Sequence, residues 1–305
     1  MKTLVTGASG LLGSEIVKKS ENCIGLSSKD CNLLENDFYG FLDPKPGVVI
    51  HCAAKVGGVK ANTESVSDFF EENMKINSNV MRGCKKRGVK LVSILSTCIY
   101  PDAGYVKYPL TEDQLHLGPP HKSNFGYAYA KRMADIQSRA YRQQYNCNFI
   151  TVIPNNLYGP NDNYDLNSGH VIPALIRKFH DAVINNKKEV EIWGTGNPLR
   201  EFTFARDAAE IILWLSENYD GEDPVNIGNT DQISISYLAE TIADIFMFDG
   251  KIMFNTEKPD GQYKKPSSNE KLKSLGWSGK YTPLREGLEE TISHYSREYP
   301  NVRKF

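Results

Sequence analysis

Thr3-Leu4-Val5-Thr6-Gly7-Ala8-Ser9-Gly10-Leu11-Leu12-Gly13 is the stretch that decides the fold. A short β-prone run, Thr3–Thr6, ends in a glycine, and a helical pattern over Leu11–Lys19 starts just beyond it. Gly7, Gly10 and Gly13 make G-x-x-G-x-x-G, with one residue more between the first two glycines than in G-x-G-x-x-G. Glycines permit the tight turn and let backbone N–H groups approach a diphosphate at the positive end of a helix. A strand, a glycine turn and a helix in immediate succession form the context in which a dinucleotide is bound.

Outward from that turn, Cys23–Leu26, Gly47–His51, Leu91–Leu95 and Phe149–Ile153 read as strands, and Phe69–Arg87 and Ala128–Tyr145 as helices. Strand and helix in alternation predict a parallel sheet covered on both faces. After about Pro160 the texture changes. Asn161–Gly169 is a polar loop, Val171–His180 a helix, Val190–Trp193 a strand, Asp207–Ser216 and Ser236–Phe246 helices, Val225–Ile227 a strand and Lys258–Asn269 a loop. The expected class is α/β. A doubly wound parallel sheet of Rossmann type occupies residues 1–160, a smaller C-terminal α/β substrate domain occupies 161–305, and part of 200–230 returns to the first.

The 305 residues carry 36 Lys+Arg against 37 Asp+Glu, a net charge of −1, so overall charge offers nucleic acid or an acidic membrane no attraction. No apolar run approaches the ~18 residues a membrane span needs, and the opening residues lack the pattern of a secretory leader. The six cysteines show neither C-x-x-C pairs nor histidines at zinc-finger spacing. The expectation is a cytoplasmic protein with reduced thiols and no metal site.

The end of the second strand selects the dinucleotide. An NAD site places a carboxylate there to hold the ribose hydroxyls. Here the run is Leu26-Ser27-Ser28-Lys29-Asp30, and Ser28 with Lys29 suits a 2′-phosphate, so NADP(H) is expected; Asp30 keeps NAD open. Tyr127 and Lys131 stand four apart on one helix face. An ammonium beside a phenol stabilises the phenolate, which predicts that Lys131 draws Tyr127 down from its ordinary pKa of about 10. Tyr129 is a rival phenol, but Met133 is its partner four residues on. Ser96 follows the Leu91–Leu95 strand, at the carboxyl edge where such sheets bind ligands. In this order, the glycine turn, serine, tyrosine and lysine resemble the extended short-chain dehydrogenase/reductase superfamily.

Longer segments narrow the resemblance. Ser96-Thr97-Cys98-Ile99-Tyr100-Pro101, His51-Cys52-Ala53-Ala54-Lys55-Val56-Gly57-Gly58, Gly118-Pro119-Pro120-His121, Asn124-Phe125-Gly126-Tyr127, Gly169-His170-Val171-Ile172-Pro173, Trp193–Phe202 and Asp260–Lys265 are similar to the GDP-L-fucose synthase family, in family order. That resemblance implies epimerisation of GDP-4-keto-6-deoxy-D-mannose at C3 and C5, then NADPH-dependent reduction at C4, in a homodimer that pairs the Phe69–Arg87 and Ala128–Tyr145 helices with their copies. It implies Ser96, Tyr127 and Lys131 as the reduction residues, and Cys98 with His170 as the epimerisation acid/base pair. By position alone, Cys98 also reads as a small buried apolar residue and His170 as a helix N-cap. Further cofactor contacts are implied at Ala53, Ala54, Lys131 (towards the ribose), Pro154, Asn155, Asn156, Leu157 and His170, and substrate contacts at Lys178, Trp193, Arg200, Asp260 and Lys265. Two positions depart from family patterns. Lys178 replaces a bacterial Arg, keeping charge without a bidentate fork, and Ser9 stands where some members carry Arg. Two other functions compete. A sibling nucleotide-sugar 4-epimerase or 4,6-dehydratase would recycle a tightly held cofactor, and dehydratases generally have Ser/Thr-Asp-Glu where Thr97-Cys98-Ile99 stands; a non-enzymatic NADP-sensing module would need neither Tyr127 nor Lys131.

Overall fold

The computed structural model describes residues 2–258 and 260–304; Pro259, inside the loop expected over Lys258–Asn269, lies outside the described residues. The chain runs β1 (Thr3–Thr6), α1 (Leu11–Lys19), β2 (Cys23–Leu26), β3 (Val48–His51), α2 (Val59–Glu64), α3 (Val66–Arg87), β4 (Lys90–Ile94), α4 (Phe125–Tyr145), β5 (Phe149–Pro154) and β6 (Asn156–Tyr158). It continues with α5 (Val171–Ile184), β7 (Glu189–Trp193), β8 (Leu199–Phe204), α6 (Ala205–Asn218), β9 (Val225–Ile227), β10 (Gln232–Ser234), α7 (Ile235–Ile245), β11 (Lys251–Asn255), α8 (Glu270–Ser274) and α9 (Leu284–Glu298).

Six strands pair in the order β2-β1-β3-β4-β5-β9, every pair parallel. The chain steps from β1 outward to β2, then back across to β3, so β1 and β3 flank the switch point of a doubly wound sheet. Strands β1 and β3 are buried along their whole length, as continuous apolar runs require when helices cover both faces. On one face Leu4, Val49 and Leu91 meet Val80, Met81 and Cys84 of α3 and Ala134 of α4. On the other, Val5, Ile50 and Val92 meet Leu12 and Ile16 of α1 and Ile211, Ile212 and Leu215 of α6. A separate core joins α5, α7 and α9, where Ile172, Leu175, Ile176 and Phe179 of α5 share one stripe at helical spacing. Its small sheets are β10-β8-β6 and β11-β7.

Helix limits shift from those expected, by three residues or more in α3, α4 and α5. Helix α3 begins at Val66 rather than Phe69, α4 at Phe125 rather than Ala128, and α5 runs on to Ile184. The start of α4 matters for chemistry, because it puts Tyr127 in the first helical turn.

A buried polar thread ties β1 and β3 to α4. The Thr6 hydroxyl lies 2.8 Å from His51 Nδ1 and accepts from Ala53 N, and His51 Nε2 faces Asn77 Oδ1 at 3.2 Å. Asn77 in turn donates to the Ala130 carbonyl of α4. Burial, together with the charge of Lys131, holds the His51 imidazole neutral, with its pKa pushed down to about 3. The folded chain therefore binds fewer protons at His51 than the unfolded chain, whose histidine titrates near 6.5. His51 stabilises fully above that value and loses its contribution as pH falls from 6.5 towards 3. Between pH 7 and pH 5, wild type is expected to lose about 2 kcal/mol more unfolding free energy than His51→Gln. Urea titrations of both proteins at the two pH values measure the difference; parallel pH dependences would contradict it.

Candidate active site

The glycine turn is built by close backbone approach. Gly7 sits at φ +69°, and a Cβ there would lie 2.8 Å from the Ala53 nitrogen; a Cβ on Gly13 would lie 2.2 Å from the Gly7 carbonyl oxygen. Only glycine fits either place. Ala8 N donates to Leu26 O, which lays the turn across the end of β2. There the Asp30 carboxylate folds back onto Ser27, accepting from its N–H at 2.8 Å and its hydroxyl at 2.5 Å, and these bonds hold its pKa below the usual carboxylate range. Ser28 and exposed Lys29 form the outside of that turn.

Ser96 stands two residues past the end of β4 and caps a short 3-10 turn over Thr97–Ile99, its hydroxyl accepting from Cys98 N at 3.4 Å. The turn buries Thr97 and leaves Ser96 and Cys98 half-buried. Across from it, buried Lys131 donates through Nζ to the Ile94 carbonyl at 2.8 Å, joining α4 to the last residue of β4. Tyr127 stands one turn earlier, edge-on to Phe69, with Lys131 Nζ 6.0 Å from its ring centroid. Arg132 secures the same corner by donating to the carbonyls of Ile99 (Nε, 3.0 Å) and Gly118 (Nη1, 2.7 Å).

Electrostatics shows which groups face one another. Cys98 lies close enough to Tyr127, Lys131, Arg132 and Lys265 to act on each of them electrostatically. Burial lowers Lys131 and Lys265 each to about 8, with Cys98 opposing in both. The predicted lowering of Tyr127 does not occur: burial, and then Cys98, push the phenol above its ordinary value. The physical reason is that the Lys131 ammonium is spent on the Ile94 carbonyl while the ring is desolvated. Burial therefore favours the protonated phenol.

His170 comes from the other core. It occupies the N-cap position of α5 without capping it, so its ring is left for other use. Gly58 N donates to Ser168 O at 2.7 Å, docking the loop before His170 onto the Gly57–Gly58 end of the β3 segment. The ring is solvent-accessible yet walled by protein, which lowers its pKa. Among the described residues no hydrogen bond joins His170 to Cys98 or Tyr127.

The substrate-side residues divide into two groups. Lys265 and Arg200 face each other electrostatically, and Arg200 Nη1 donates to the Leu199 and Tyr263 carbonyls. Farther out, Lys178 and Lys258 lie over exposed Trp193 at 5.7 and 5.6 Å, with Lys178 also donating to Glu191 O. Cavities of about 490 and 440 Å³ lie at the opposite edge of the sheet, around Arg142, Cys147 and Lys90, and contain none of these residues.

A family model described as the NAD dependent epimerase/dehydratase family matches residues 3–228. The GDP-L-fucose synthase of Dictyostelium discoideum is 45% identical over 99% of this chain and 97% of its own length. The chain belongs to the GDP-L-fucose synthase family. The probable GDP-L-fucose synthase of Drosophila melanogaster is 39% identical over 99% of both chains. A crystal structure of a GDP-L-fucose synthetase from Naegleria fowleri bound to NADP superposes with a TM-score of 0.90 at 40% identity, covering 99% of this chain and 94% of that one.

Two residues expected at the ligands also make hydrogen bonds within the protein. Both Asp260 oxygens are taken by Thr195, from N at 2.6 Å and Oγ1 at 2.8 Å, so this carboxylate fastens the Gly194–Gly196 turn. Asn155 turns its amide inward to Thr203, Asn229 and Glu201, leaving Pro154, exposed Asn156 and Leu157 at the end of β5 and in β6. Glu201 was not singled out from sequence. Its buried carboxylate accepts from Ser267 N at 3.0 Å and Ser267 Oγ at 2.6 Å, anchoring the segment that brings Lys265 to Cys98. Among the described residues no helix is long and apolar enough to cross a membrane, and no cluster could hold a metal ion.

Proposed function

We propose that the chain converts GDP-4-keto-6-deoxy-D-mannose to GDP-L-fucose, by epimerisation at C3 and C5 followed by NADPH-dependent reduction of the C4 ketone. The observation that carries this reading is Cys98, half-buried on the turn after β4 and within electrostatic range of Tyr127, Lys131 and Lys265: a thiol beside a reductase triad. Reduction alone has no use for that thiol. The C4 ketone acidifies the hydrogens on C3 and C5, and a thiol and an imidazole offer proton exchange at those carbons. Epimerisation precedes reduction, because the acidity disappears with the ketone.

The residues present suit NADP(H): a turn that only glycines can line, a helix N-terminus, and Ser28 and Lys29 where a 2′-phosphate would lie. When bound, the cofactor supplies the hydride for C4. Ser96 polarises the C4 carbonyl, and Tyr127, kept protonated by its burial, delivers the proton to the oxygen. Lys131 holds the corner together through Ile94. Arg200, Lys265 and Lys178 offer cations for the GDP diphosphate, and Trp193 an aromatic face. In this reading residues 1–160, with α6 and β9, form the cofactor half, and the remainder of 161–305 the sugar half. The protein works in the cytoplasm as a homodimer, pairing α3 and α4 with their copies through faces that expose Phe70 and Ile136.

The test is NADPH oxidation with GDP-4-keto-6-deoxy-D-mannose, followed by the stereochemistry of the product. Consumption of one NADPH with inversion at C3 and C5 is expected. A product reduced at C4 with C3 and C5 unchanged would make the chain a simple reductase, and no oxidation at all would remove the reading.

A further inference from the structure

The glycine turn carries no cation of its own, since Gly7–Gly13 contains neither lysine nor arginine. The structure nevertheless puts one beside it. After α9 the chain turns back: Val302 is buried in the second core, and Tyr164 N donates to the Arg303 carbonyl at 3.0 Å. This fixes the Arg303 backbone near the loop that follows β6. Its side chain then reaches the glycine turn. A Cβ on Gly10 would stand 3.4 Å from Arg303 Nη1 and 3.8 Å from Nη2, while Nη1 also donates to the Asn161 carbonyl at 3.2 Å. Asn161 itself donates to Ser14 in the first turn of α1, so loop, helix and guanidinium form one corner.

A guanidinium here is electrostatically odd. Gly10 is the N-cap of α1, where the helix already presents partial positive charge, and a cation at that end is disfavoured. The Arg303 charge is also partly withdrawn from water. Asp162, itself buried, acts on it electrostatically, and among the described residues one Asp162 carboxylate oxygen receives no hydrogen bond. An arrangement in which a helix N-terminus and an arginine face the same space becomes favourable when a polyanion enters it.

We propose that Arg303 is a cofactor-binding residue: the segment after α9 brings its guanidinium to the glycine turn to hold the dinucleotide's diphosphate together with the α1 N-terminus. This rests on the reading of that turn as the NADP(H) site. It makes the last described residues of the chain part of a site otherwise built from the first.

Equilibrium binding tests it without turnover, using quenching of protein fluorescence by NADPH, NADH and adenosine 2′-monophosphate. The first two ligands contain the diphosphate and the third does not. Arg303→Ala and Arg303→Gln are each expected to weaken NADPH and NADH by roughly 10- to 100-fold, and adenosine 2′-monophosphate by less than about 2-fold. Arg303→Lys should fall between wild type and Arg303→Ala. An unchanged Kd for NADPH in either folded neutral variant overturns the proposal, as does equal weakening of all three ligands, which would mark a structural or 2′-phosphate role. Failure of wild type to bind NADPH would instead remove the reading of the site itself.

Discussion

Tyr127→Phe is expected to slow NADPH oxidation by about 10²- to 10⁴-fold, the range seen when a positioned general acid is removed. The reasoning starts from burial. Desolvation keeps the phenol protonated well past neutrality, and Lys131, drawn to the Ile94 carbonyl, does not offset it. Hydride arriving at C4 creates an alkoxide that needs a proton at that moment, and the phenol is its proposed donor. Phenylalanine retains the edge-on packing against Phe69 at 6.4 Å and deletes only the proton. The fold and NADPH affinity should therefore change little, the latter by less than about 3-fold, the mark of a group used mainly in the transition state. Solvent deuterium should still enter C3 and C5, because that exchange runs through other groups. Stopped-flow absorbance at the nicotinamide band, paired with mass spectrometry of recovered ketosugar, measures both. Undiminished NADPH oxidation would exclude Tyr127 as the acid.

The parts of this site that were legible in the sequence are those fixed by local geometry. The glycine turn could be read because the reason for each glycine lies within a few residues or on the neighbouring strand. Ser96 could be placed because a residue just past a buried parallel strand has only one edge to occupy. Tyr127 and Lys131 could be paired because a helix puts residues four apart on one face. What the spacing could not show is where Lys131 would send its charge. A neighbouring phenol and a strand carbonyl are both within reach of a lysine, and only the packing of α4 against β4 chooses the carbonyl.

Non-local placement was the harder part. Lys265 comes within electrostatic range of Cys98 because Ser267 is tied to Glu201 and because Leu110 pairs with Pro266 and Ser268. No periodicity in 258–269 encodes those partners. Asp260 matched a motif yet spends both oxygens on Thr195, a choice made by the Gly194–Gly196 turn. Strands β8, β10 and β11 belong to two small sheets and carry little pattern of their own. Helix α9 is different: Leu284, Leu288, Ile292 and Tyr295 do follow helical spacing, but the polar residues between them make the stripe faint.

Cys98→Ser separates the two halves of the reaction. Serine is nearly the same size and can occupy the position after Thr97 without disturbing the 3-10 turn, whose capping bond uses the backbone N–H of residue 98. It cannot replace the acid/base chemistry, because a thiol titrates near 8.5 and is readily tuned, whereas a hydroxyl stays protonated throughout the working range. Deuterium incorporation from solvent at C3 and C5 is expected to fall by about 10²- to 10⁴-fold. Reduction of the unepimerised ketone should continue slowly, since Ser96, Tyr127 and Lys131 remain, and its product should differ from that of wild type at C3 and C5. The comparison with Tyr127→Phe then becomes decisive: one variant exchanges without reducing, the other reduces without exchanging. Two independent proton-transfer devices around one ring predict that crossing pattern, whereas a single shared acid/base group predicts that both activities fall together in both proteins. Exchange at the wild-type rate in Cys98→Ser would remove the thiol from the chemistry and return it to the role of a small packing residue.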